Sequence, residues 1–108
     1  MSKLPDALQI GPHRYRIVVT DHLYDSDNWG ETSPRAVEIR LWDRVPDEAL
    51  SVTLLHEVFH AVAHAWGVEE LQDHSDGHLS SVTLDRLVRG IILALRDNPQ
   101  LLKVLLSP

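Results

Sequence analysis

Cysteine is absent from these 108 residues. That excludes disulfides, thiolate zinc ligands and a cysteine nucleophile, and it is compatible with a reducing compartment. Aromatic residues are scarce, with three Trp, two Tyr and one Phe, so a core has to be built mainly from aliphatic side chains. The five glycines form no phosphate-binding loop, and no serine sits in a nucleophile-elbow pattern. No apolar run approaches the ~20 residues of a membrane span. The start, Met1-Ser2-Lys3-Leu4-Pro5-Asp6, lacks the apolar stretch of a signal peptide. A soluble, cytoplasmic protein is the expectation, with no membrane contact. Positive charge is also in short supply: ten Lys plus Arg against sixteen Asp plus Glu give a net charge of −6. That balance argues against gripping a phosphate backbone, so no nucleic-acid partner is expected.

What the chain does have is histidine. There are seven, and five of them (His56, His60, His64, His74 and His78) fall between positions 56 and 78. The length suits one domain, 1–108, with no repeat or linker.

Two hydrophobic periods divide the chain. Leu8 and Ile10 precede the turn signal Gly11-Pro12, and Tyr15, Ile17 and Val19 then alternate with mostly polar neighbours, as in a half-buried strand. Residues 21–34, rich in Asp, Ser, Asn, Gly and Pro, read as loop. Val37, Ile39 and Leu41 alternate with Glu38 and Arg40, giving a second strand over roughly 35–42. These strands predict a small antiparallel sheet. From Pro46 the period becomes helical. Val52, Leu55, Phe59, Val62 and Trp66 recur at spacings of three and four, and Gly67 is a suitable stop. After a polar connector at 67–78, a second helix over about 79–96 turns Leu84, Leu87, Val88, Ile91, Ile92 and Leu95 inward. Asn98-Pro99 then opens a short final helix. The expected class is α+β.

The first helix carries His56-Glu57-Val58-Phe59-His60. Residues four apart stand one turn apart on the same face, where two imidazoles can reach one ion at ~2.1 Å. Glu57 is rotated about a quarter-turn from them. From there a carboxylate can act as general base on a metal-activated water. Zinc held by His56 and His60, with Glu57 as catalytic base, is the chemistry this order of residues suits.

Zinc needs a third protein ligand. His64 continues the spacing but lies ~12 Å of rise from His56, too far to share the ion. Ala63 and Trp66 stand where the longer metzincin pattern requires Gly and His, so that subclass is excluded. Asp85, at the boundary of the second helix's apolar face, is the leading candidate, and His78, seven residues earlier, is the alternative. A connector residue remains open.

The stretch Thr53-Leu54-Leu55-His56-Glu57-Val58-Phe59-His60-Ala61, with Asp85-Arg86-Leu87-Val88-Arg89-Gly90 and Leu95-Arg96-Asp97-Asn98-Pro99, resembles small zincin-like proteins of bacteriophages and prophages. These are related in outline to the ImmA/IrrE-type metallopeptidases. Gly11-Pro12-His13-Arg14-Tyr15, Gly30-Glu31-Thr32 and Val37-Glu38-Ile39-Arg40 look like that family's sheet region. The resemblance implies a minimal zincin: a small sheet packed on the active-site helix, then a second helix supplying an acidic third ligand. Family members often carry glutamates where this chain has Ser80-Ser81-Val82, which leaves Asp85 the only acid of that helix before Asp97.

Two functions follow as expectations. One is a zinc-dependent peptidase acting on a peptide or protein substrate laid along a strand edge, that of 35–42. The other is a non-catalytic, zinc-stapled protein-binding module. The three tryptophans read as core or rim residues in either case.

Overall fold

The computed structural model describes residues 4–23, 28–67 and 81–106, with the backbone alone for 81–85. Four strands, β1 (Ala7–Ile10), β2 (His13–Thr20), β3 (Gly30–Ser33) and β4 (Glu38–Trp42), form one sheet in the order β1-β2-β4-β3. Three helices follow: α1 (Asp47–Ala65), α2 (Ser81–Asp97) and α3 (Pro99–Leu106). The class is α+β. Among the described residues no helix is long and apolar enough to cross a membrane.

The sheet is mixed rather than antiparallel. β1 and β2 pair antiparallel, as do β3 and β4, but the central pair β2 and β4 is parallel, with Ile17 opposite Ile39. The difference comes from β3, which lies inside the stretch read as loop. It carries the chain past the position β4 will fill, and a turn at 34–37 brings the chain back between β3 and β2. Ser33 braces that turn, its Oγ accepting from Ala36 N–H at 3.2 Å. Val37 closes the turn at φ +54°, a conformation costly for a β-branched residue. β4 is therefore interior, and β3 and β1 are the edges.

Leu8, Ile10, Tyr15, Ile39 and Leu41 on one sheet face meet Leu54, Val58, Ala61 and Val62 of α1, with Leu87, Ala94, Leu101 and Val104 completing the core. The stripe expected on α1 is only partly the buried one. Val62 is buried and Trp66 half-buried, but Val52 is 71% exposed, and the face that packs is Leu50, Leu54, Val58, Ala61. Apolar residues are spread nearly all round this helix, so two stripes of helical period compete. The stripe with the smaller residues near its C-terminal end fits closer to the sheet. α2 is rotated in the same sense: Leu87, Gly90 and Ala94 are buried, while Val88 and Ile92 are about half exposed.

Asn98 does more than open α3. Its side-chain amide accepts from Gln9 N–H and donates to Gln9 C=O, both at 2.7 Å, and also donates to the Ala94 carbonyl. The amide thus satisfies outward-facing backbone groups on edge strand β1 and pins the α2–α3 junction to the sheet.

Gly90 sets the approach of α2 to α1. A Cβ built there would lie 2.4 Å from Val62 Cγ1. Gly90→Ala gains ~1 kcal/mol of helix propensity but overpacks against a side chain stiff at χ1, a cost of about 1–3 kcal/mol. The expected result is net destabilisation in denaturant melts. In a Val62→Ala background the same change should be neutral or stabilising, and identical effects in both backgrounds would refute the close contact.

Candidate active site

α1 presents its motif to a cleft of about 600 Å³, lined on one side by Ala49, Val52, Thr53, His56, Glu57 and His60 and on the other by 28–32 and Pro34. His56 and His60 meet there. Their Nε2 atoms are 3.2 Å apart, with the rings edge to face at 71°. Two nitrogens at that separation, each ~2.1 Å from a common ion, would subtend about 100° at it, close to the ~109° of a tetrahedral site. His56 is exposed and His60 half-buried, so both rings are reached from the cleft. These two imidazoles, at this separation, have the donor type and spacing of two of the ligands a zinc ion requires.

Glu57 lies on the sheet side of the pair and is only 5% exposed. Thr32 Oγ1 is 2.8 Å from Glu57 Oε1 and 3.0 Å from the Glu57 carbonyl oxygen, so one hydroxyl proton serves the side chain, the backbone or both. Above the other carboxylate oxygen sits Gly30. A Cβ on it would lie 3.1 Å from Glu57 Oε2, 3.0 Å from Glu57 Cγ and 3.2 Å from Thr53 Cγ2. Any side chain at this position would crowd the carboxylate by a few tenths of an ångström, so glycine eases the close passage of the edge strand. Thr53 is buried beneath, its hydroxyl donating to the Ala49 carbonyl one turn back.

The strand that borders the cleft is β3, not β4. β4 is paired on both sides, so the edge expected at 35–42 has no free side for a peptide. On β3 the ladder alternates. Trp29 C=O accepts from Trp42 N–H at 2.8 Å, which assigns Glu31 and Ser33 to the β4 side and turns the N–H and C=O of Gly30 and Thr32 outward. The two residues that touch Glu57 are thus also the two that offer backbone groups to the cleft.

The third-ligand candidates are not brought to this pair by any described contact. His78 and the connector lie outside the described residues, as does the side chain of Asp85. Among the described residues no group of three His, Cys, Asp or Glu is spaced to hold a metal. Asp85 is five residues before Gly90, about 7.5 Å of rise. Gly90 itself seats on Val62 and Trp66, and α3 later reaches Ser51, whose Oγ donates to the Val104 carbonyl. α2 therefore runs back along α1, and its first turns lie toward the C-terminal end of α1. His64 is exposed at that same end.

Thr32 and Gly30 escape a reading based on periodicity, because Gly-Glu-Thr-Ser has no strand-like alternation. The usable signal was the turn: Ser33-Pro34 followed by the clear strand of Val37, Ile39 and Leu41 marks the second arm of a hairpin. Comparison with protein-family models, with curated proteins and with solved structures finds no match to this chain.

Proposed function

We propose that this chain is a cytoplasmic zinc-dependent metallopeptidase of the small zincin-like kind, acting on peptide or protein substrates. The observation that carries the reading is the 3.2 Å separation of His56 and His60 Nε2 at the floor of a cleft bordered by an edge strand. Zinc, when bound, supplies a Lewis acid that polarises the scissile carbonyl and activates water. The chain's own residues do the rest. His56 and His60, whose Nε2 atoms face each other, would hold the ion. Gly30 and Thr32 pair with an extended substrate through their outward backbone groups. Glu57 takes the proton of the attacking water at Oε2, the oxygen Thr32 does not hold, and passes it to the leaving amine. Digestion of a diverse peptide library by the zinc-loaded protein at neutral pH is the direct test, and no cleavage across the library would overturn the reading.

Asp85 is proposed as third ligand, with His78 as its competitor. The connector that carries His78 and the side chain of Asp85 lie outside the described residues, so zinc competition with a chelator is decisive. If Asp85 is a ligand, Asp85→Ala weakens binding by at least the ~10-fold of a lost supporting contact, and His78→Ala has little effect. The reverse ranking assigns the role to His78.

A second reading has its own support. A carboxylate buried to 5% exposure and tied to an edge strand by Thr32 is also what a structural strut looks like. In that reading the protein is a zinc-stapled binding module.

A further inference from the structure

Eight large hydrophobic side chains are exposed among the described residues, and two of them, Trp29 and Val52, line the cleft. They lie at one end of it. Val52 precedes His56 by four residues, one turn down the same face of α1, with Cβ atoms about 5–6 Å apart. Ala49 extends that face. Trp29 immediately precedes β3 and is held there by the bond from Trp42 N–H to its carbonyl. β3 runs in the same sense as α1, since Gly30 lies over Thr53 and Glu57 while Thr32 bonds Glu57. Trp29 therefore falls on the Val52 side of the cleft and Pro34 on the His60 side. One end of the cleft gathers the apolar side chains of Trp29, Ala49 and Val52, with Asn28 and Thr53 beside them, and the other holds Thr32, His56, Glu57 and His60 together with Pro34.

Exposed apolar side chains gathered beside convergent polar groups mark a binding site rather than ordinary surface scatter. Trp29 is 44% and Val52 71% exposed, so an entering apolar group has much surface to cover. One helical turn is 5.4 Å and two strand residues span ~6.6 Å. An extended peptide on β3 with its reacting bond at the histidines thus sets a neighbouring side chain at Trp29 and Val52.

We propose that this end of the cleft is a specificity subsite for a bulky apolar side chain, and that the substrates are peptide segments with Leu, Ile, Met or Phe beside the reacting bond. The proposal rests on the peptidase reading but is tested apart from it. Fluorescein-labelled peptides that differ at one central position (Leu, Phe, Ser or Asp) are titrated into the metal-free full-length protein and followed by anisotropy. Leu and Phe peptides should bind at least ~10-fold more tightly than Ser and Asp peptides, the scale on which a hydrophobic pocket discriminates. Val52→Glu and Trp29→Ser should each remove most of that difference. Val52→Ser replaces Val52→Glu if the latter lowers the melting temperature. No peptide binding, no apolar preference, or a preference unchanged in both positions overturns the subsite. Cleavage of the library without apolar preference would overturn it too, while leaving the peptidase reading standing.

Discussion

Protein carrying His56→Ala and His60→Ala together should keep its fold and lose its zinc. Neither ring belongs to the core: His56 is exposed and His60 half-buried, and the buried face of α1 is formed by Leu50, Leu54, Val58 and Ala61. Alanine also favours helix more than histidine does, so melting of the variant in chelator should match the wild type or slightly exceed it. Zinc is expected to behave oppositely in the two proteins. A ligand that binds only the folded state adds about 2.7 kcal/mol at a hundred times its dissociation constant, on the order of 10 °C in melting temperature for a domain of this size. Wild type should show that rise and hold one zinc by elemental analysis. The double variant should show neither. Stoichiometric zinc in the variant would remove the metal from this cleft, whatever the third ligand turns out to be.

The parts of this site that could be read along the chain are those set by local geometry. His56 and His60 lie on one helical face because 3.6 residues make a turn, and no distant contact alters that. Gly67 ends α1 and Asn98-Pro99 starts α3 for equally local reasons. The remainder depends on partners distant in sequence. Gly30-Glu31-Thr32-Ser33 is a strand because β4 pairs with it and α1 packs beneath it, not because its residues favour extended backbone. The parallel pairing of β2 with β4 follows from that strand. So does the identity of the cleft's edge, which moves from 35–42 to 30–33. The inward face of α1 was ambiguous for another reason. Apolar residues nearly encircle it, and only the close fit of Ala61 and Val62 against the sheet and Gly90 selects one stripe. The α+β class was legible, and so were the motif and its helix. The residues that hold Glu57 were not, since Thr32 reaches it across 25 positions.

Glu57→Gln should separate an enzyme from a zinc-bound scaffold. The amide has nearly the shape of the carboxylate, and the environment can accept it: Thr32 Oγ1 still finds an oxygen to donate to, and Gly30 leaves room over the other terminus. Fold and zinc content should therefore match wild type, because His56 and His60 are untouched. An amide cannot take a proton from water. If Glu57 is the general base, turnover on whichever library peptide the wild type cleaves should fall by at least ~100-fold, the range for a removed acid–base group. Thr32→Val gives a graded companion measurement. It removes the hydroxyl that orients Oε1 but leaves the carboxylate, so it should lower kcat by less than Glu57→Gln does, and Thr32→Ser should restore it. A strut would behave differently. If Glu57 serves only to tie α1 to β3, Thr32→Val should lower the melting temperature with no matching loss of kcat, and Glu57→Gln should leave the protein's activity intact. Cleavage that survives Glu57→Gln in zinc-loaded protein would rule out this carboxylate as the base.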